Sequence, residues 1–270
     1  MLGAAETPYD LRFRFLGIPV RIHPIFWLVS VVMGWQDRNL PAVALWVACV
    51  FVSILVHEYG HGLMAKTFDG SPSIVLWGLG GLCYSQGERQ TPGQRLAVIF
   101  AGPGAGFVLC AFVMLVTSLL FGITPIEHLQ EIGGLVGLGS EPVSVVLKVH
   151  ALMQVETVTK FLFLTYRNLV WINLLWGLVN LLPMWPLDGG QATQILLSLF
   201  DRARGQRWTH IVSLLVSGIL AIVMMTLPSN NKMFLTIFFA SFAIINFQLL
   251  QSIHQAEAMG LYQEDEWWRR

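Results

Sequence analysis

Charge is scarce in this chain. Only 12% of its 270 residues are Asp, Glu, Lys or Arg, against about 25% in an ordinary soluble domain. The 16 basic and 16 acidic side chains cancel, so no basic surface points to nucleic acid, and no nucleic-acid partner is expected. Cysteine is scarcer still. Cys49, Cys83 and Cys110 lie in apolar or glycine-rich stretches and form no CxxC pair. That excludes a disulfide framework and leaves buried packing as the reading. A cleavable leader is not expected either: residues 1–10 are polar, Arg12 and Arg14 follow, and no small-residue cleavage site succeeds the first apolar run. There is no internal repeat of the transporter kind.

Apolar residues fill the space, at 55% of the chain. Several runs reach the roughly 20 residues that cross hydrocarbon as a helix. The sequence predicts an all-α polytopic membrane protein with about six spans: 24–35, 41–65, 94–121, 161–182, 211–227 and 233–251. The first is short unless its flanks contribute. Pro41 suits the first turn of the second, and Pro183 and Pro186 end the fourth. Between spans two and three, residues 73–85 read SIVLWGLGGLCYS. This stretch is too short to span and too rich in glycine for a helix. It predicts a membrane-associated β-hairpin turning at 78–81. The longest connector, 122–160, is left without an assigned conformation. The chain is read as one integral-membrane domain over 1–270, with a core at 21–190 and accessory spans within 211–251.

Positive charge sets the orientation. With the N-terminus inside, eleven of the sixteen Lys and Arg residues fall on the inner segments, so both termini are expected in the cytoplasm. The membrane is read as a bacterial cell membrane.

Span two contains His57-Glu58-Tyr59-Gly60-His61. Residues i and i+4 share one face of a helix, so the two imidazoles can bind one Zn²⁺ while the adjacent Glu58 reaches a bound water as general base. Three ionisable groups in an apolar span are costly, which favours function over a packed polar patch. A catalytic zinc needs a third ligand. The best candidate is Asp188, in Asn180-Leu-Leu-Pro183-Met-Trp-Pro186-Leu-Asp188-Gly189-Gly190. The competing reading is a helix-capping Asp ahead of 191–200. His57, His61 and Asp188 all fall towards the inner end of their spans. His23, His128, His150, His210 and His254 are read as interface residues, and Trp267 and Trp268 as an interfacial anchor.

HEYGH in an early span followed by NLLPMWPLDGG in a later one resembles the two signatures of the site-2 protease family of intramembrane metalloproteases. Arg21-Ile-His23, WGLGG and Ala101-Gly102-Pro103 agree in order. The resemblance covers about 21–190. It implies a three-span core and one zinc per chain held by His57, His61 and Asp188, with Glu58 as base. It also implies that Asn180 holds the substrate carbonyl or developing oxyanion. Where the family often has an Asn in the third span, this chain has Gly106. The implied activity is hydrolysis of peptide bonds in or near transmembrane segments, on a transmembrane protein or a remnant signal peptide. A regulatory membrane partner is left open. Two other classes stand beside it: a catalytically idle binder of membrane segments, and a zinc transporter.

Overall fold

The computed structural model describes residues 6–35, 39–78, 80–86, 90–135, 143–202, 204–226 and 232–259. It divides into two compact units, one of residues 1–88 and 101–177, the other of 89–100 and 178–270. Trp267 and Trp268 lie outside the described residues.

The first unit opens with a hairpin that the sequence reading did not foresee. Strands β1 (Leu11–Phe15) and β2 (Ile18–Ile22) pair antiparallel. They are joined by Leu16 and Gly17, both at positive φ, as a two-residue hairpin matching the strand twist requires. Helices α1 (Pro24–Gly34) and α2 (Leu40–Lys66) follow. Then come β3 (Ser71–Trp77) and β4 (Gly80–Gln86), the expected hairpin, whose Leu76–Gly81 and Trp77–Gly80 pairs close the turn. Strand β3 also pairs parallel with β2, giving the order β1-β2-β3-β4. A parallel pair needs a long crossover, and α1 with α2 supply it. Alternate residues Ile18, Val20 and Ile22 of β2, with Ile74 and Leu76 of β3, are almost fully buried. They pack against Phe26 of α1 and Val50, Ile54 and Tyr59 of α2.

Among the described residues, five helical stretches are long and apolar enough to cross a membrane: Leu40–Lys66, Pro92–Phe121, Glu156–Asn180, Gly205–Thr226 and Lys232–Ala258. The predicted class therefore holds with one fewer span. Helix α1 has only 11 residues, about 16 Å at 1.5 Å per residue, roughly half a hydrocarbon core. His23 caps it through Nδ1, which accepts from Ile25 N–H at 3.2 Å. Asn39 caps α2, with Pro41 in its first turn as expected.

Helix α3 (Pro92–Phe121) is followed by α4 (Pro125–Leu135) and α5 (Val143–Met153), which fill the connector that the sequence left open. Helix α6 (Glu156–Trp171) continues through a π-helical turn at Ile172–Trp176 into α7 (Gly177–Asn180). Buried Cys110, Ile123, Val145, Tyr166 and Val170 form the second core of this unit. His128 sits within it: Nδ1 meets Tyr166 Oη at 2.7 Å and Nε2 meets Ser118 Oγ at 2.9 Å. The interface reading of His128 is thus corrected, because two hydroxyls satisfy the ring away from water.

The second unit contains α8 (Asp188–Phe200), α9 (Gly205–Thr226) and α10 (Lys232–Ala258). Helices α9 and α10 form its most extensive helix pair. Between them Phe239 and Phe242 cover Met184, which is fully buried, with Leu182 and Leu187 beside it. Ile195 and Ala192 of α8 pack on Ile99. His210 is buried here, again against the interface reading, because Asn246 Oδ1 meets its Nδ1 at 2.8 Å.

Candidate metal centre

Helix α2 has 27 residues and buries Ser53, Ile54, His57, Glu58, His61 and Ala65. The i, i+4 spacing turns the two imidazoles towards one point. Their Nε2 atoms are 3.2 Å apart, with the rings edge to face at 79°. Two nitrogens sharing a tetrahedral ion at 2.0–2.1 Å would stand about 3.3 Å apart, so the pair fits a metal of that geometry.

Three glycines explain the surrounding motifs. A Cβ on Gly60 would meet the backbone of Ala101, so the glycine of HEYGH is where α2 touches α3. A Cβ on Gly102 would occupy the His61 ring, and one on Gly81 would occupy the Glu58 carboxyl group. Strand β4 and helix α3 thus lie flush against the HExxH side chains only because no side chain intervenes. Burial pushes the neighbouring Cys83 thiol up to about 12, with the Glu58 charge adding to the rise. That thiol stays protonated at neutral pH and is no nucleophile there.

Asp188 is the first residue of α8, and extended Leu187 holds the N-cap position. The carboxylate is therefore not at the cap position itself, and an acidic group in the first turn suits the helix dipole. The preceding turn contains a cis Trp185–Pro186 bond. A Cβ on Gly189 would strike the Leu181 and Leu182 backbone, and one on Gly190 the Met184 and Trp185 backbone. The two glycines let the 181–187 turn lie directly on the first turn of α8.

Among the described residues, His57, His61 and Asp188 form a buried group able to hold a metal ion. Each offers one ligand atom, and these atoms lie within 4.8 Å of one another. Asn180 is buried at the end of α7. The sequence reading missed Asn173, buried in the π-helical turn. Its Nδ2 donates to Ser53 Oγ and Leu169 O, both at 2.8 Å, and its Oδ1 lies 3.5 Å from where a Cβ on Gly106 would be. The available signal was an amide inside an apolar span.

A family model for peptidase family M50 matches residues 45–227. This chain belongs to peptidase family M50. The matched residues contain HEYGH, Asn180 and Asp188, so the M50 pattern and the metal-capable group coincide in sequence. Among similar proteins, the putative zinc metalloprotease Rip3 of Mycobacterium tuberculosis is 28% identical over 200 residues, 68% of this chain and 42% of that protein. Zinc metalloprotease MJ0392 of Methanocaldococcus jannaschii is 26% identical over 194 residues, 70% of this chain and 46% of that one. The chain thus spans less than half the length of these relatives. The solved site-2 protease from Methanocaldococcus jannaschii shares the fold at a TM-score of 0.53 and 20% identity, covering 90% of this chain and 95% of that one. With its five apolar helices, this M50 member is an integral membrane protein.

Proposed function

We propose that this chain is an intramembrane zinc metalloendopeptidase that hydrolyses peptide bonds in or near transmembrane segments. The observation that carries the reading is the buried pair of imidazole nitrogens at 3.2 Å, with the Asp188 carboxylate in the same ligand group. His57, His61 and Asp188 would hold the zinc. When bound, zinc acidifies water and polarises a carbonyl. Glu58, adjacent in sequence and buried, takes a proton from the attacking water and returns one to the leaving amine. Asn180 donates to the substrate carbonyl oxygen. The fit with neutral imidazoles and a carboxylate, hard-to-borderline donors, suits zinc.

A transmembrane helix hides its carbonyls in internal hydrogen bonds, so a substrate must unwind before attack. Strand β4 is one of the two edges of the sheet among the described residues, β1 being the other, and its Gly81 abuts Glu58. An unwound substrate that adds to this edge would pass the general base as an extended strand. A transmembrane protein or a remnant signal peptide is the substrate class. The two units work as a single protease domain in a bacterial cell membrane. The metal end of α2 lies towards the cytoplasm, by the charge of Lys66 and its neighbours. Cytoplasmic placement of both termini needs a sixth crossing, for which α1 with its flanks is the segment available.

The test is Glu58→Gln in the full chain reconstituted in vesicles with a single-span substrate. The expected result is retained zinc and cleavage lowered about 10²–10⁴-fold. Unchanged cleavage would remove Glu58 from the chemistry. An idle binder would give no product from the wild type, and a transporter would give zinc flux without product.

A further inference from the structure

The two C-terminal spans carry polar groups that the proposed chemistry does not use. Thr209, His210, Ser213, Ser217 and Asn246 are all buried. Thr209 and Ser217 turn back to backbone carbonyls of their own helix, Gly205 and Ser213, the usual way a hydroxyl is satisfied in an apolar span. Ser213 and Asn246 reach further. Ser213 Oγ accepts from Trp185 N–H at 2.9 Å and donates to Thr209 O at 2.7 Å. Asn246 Nδ2 donates to Trp185 O and to Phe242 O, both at 2.8 Å. Both backbone groups of Trp185 are therefore bonded by side chains, one from α9 and one from α10.

The network has one consistent proton assignment. An atom facing two carbonyl oxygens must be the amide nitrogen of Asn246, so its other atom is the acceptor oxygen. That oxygen lies 2.8 Å from His210 Nδ1, which must therefore carry a proton and donate. The ring of His210 in turn meets the Trp185 indole edge to face at 6.0 Å. His210 Nδ1, the Asn246 amide, both backbone groups of Trp185 and Ser213 Oγ all have partners, a condition under which a buried polar network fixes geometry rather than weakening the fold.

Trp185 stands three residues before Asp188. The first turn of α8 rests on its segment, with Gly190 against the Met184 and Trp185 backbone and Gly189 against Leu181 and Leu182. Fully buried Met184, covered by Phe239 and Phe242, anchors the same turn from the apolar side. A shift of the Trp185 peptide unit therefore cannot be absorbed before Asp188. We propose that His210, Ser213 and Asn246 are positioning residues: α9 and α10 clamp the Trp185 backbone and so set the aim of the Asp188 carboxylate at the metal. The C-terminal spans are then a working part of the metal centre. This rests on the zinc reading above.

The test measures zinc affinity by chelator competition, and the visible spectrum of the Co²⁺-substituted protein, on the full chain in detergent. Asn246→Leu removes both donors and the acceptor. Ser213→Ala is the milder variant, and Ser213→Thr restores the hydroxyl. The clamp predicts zinc affinity weakened about 10–100-fold in Asn246→Leu and Ser213→Ala, the size of effect typical of groups that orient ligands. It predicts near wild-type affinity in Ser213→Thr and altered Co²⁺ bands in the first two. A purely structural role would lower the unfolding temperature of zinc-free protein and leave the affinity of the folded fraction unchanged. Wild-type affinity in folded Ser213→Ala would overturn the clamp, whether or not Asn246→Leu folds. If wild type and Asp188→Ala hold no zinc alike, the metal reading falls with it. If wild type binds zinc and Asp188→Ala does not, only the clamp is at stake.

Discussion

His57 and His61 face each other through Nε2 atoms 3.2 Å apart, one helical turn from each other on the buried side of α2. In the absence of an ion, two neutral imidazoles at this separation can share only one hydrogen. The arrangement is better matched to a cation that accepts a lone pair from each. His57→Ala, His61→Ala and Asp188→Ala should each abolish stoichiometric zinc binding, read by elemental analysis of the purified protein. Full zinc content in any one of them would strike that residue from the ligand set.

Gly102→Ala separates helix propensity from site geometry. Alanine in a helix interior ordinarily stabilises by about 1 kcal/mol over glycine. Here the new methyl group would fall on the His61 ring, which cannot move without losing its place beside His57. Lower zinc affinity without a gain in unfolding temperature is the expected result. A more stable variant with unchanged zinc affinity would show that the ring has room to yield.

Gly189→Ala should act from the other motif. Its Cβ would meet the Leu181 and Leu182 backbone rather than a flexible side-chain end. Overpacking of this kind typically costs about 1–3 kcal/mol. Both the unfolding temperature and the zinc content should fall. Gly218→Ala, where a Cβ meets nothing, is the control and should leave zinc content unchanged.

Acid sensitivity should appear between α4 and α5. A hydrogen bond from Lys148 holds the Glu127 carboxyl at about 2, below its usual 4.5, with Thr124 contributing. The Lys148 Nζ to Glu127 Oε2 distance is 2.6 Å. A carboxyl whose folded value is depressed stabilises the fold above its unfolded value and loses that contribution as pH falls towards the folded one. The α4–α5 link should therefore weaken between about pH 4.5 and 2. Lys148→Met should unfold at a lower temperature than wild type at pH 6, with the gap closing across that window. A gap constant with pH would dissociate the pair from stability.

The two imidazoles of the candidate metal site were legible because their spacing dictates their geometry. An i, i+4 pair on a helix shares a face in any context, and an ionisable cluster inside an apolar run announces its own cost. The hairpin at β3–β4 was legible from glycine in a short apolar stretch. The hairpin β1–β2 was missed although its signal is local, since LRFRF and IPVRI alternate about a Leu16-Gly17 turn; only the parallel pairing of β2 with β3, about fifty residues away, leaves no local trace. The first apolar run, read as 24–35, has nearly that extent as α1, Pro24–Gly34; its composition marks it as membrane-like, but the run is too short to count as a full span on its own.

By itself, the order of residues determined the class of the protein, its apolar spans, the paired imidazoles with their neighbouring Glu58, and the carboxylate offered as third ligand. Those features depend on local period and on the cost of charge in hydrocarbon. Tertiary structure alone decided that His128 and His210 are buried, and that Gly60, Gly102 and Gly81 are points of close approach. It also decided that Ser213 and Asn246 grip the Trp185 backbone from 28 and 61 positions away. A hydrogen bond between distant residues depends on where packing sets two backbones, and no neighbour in sequence records that.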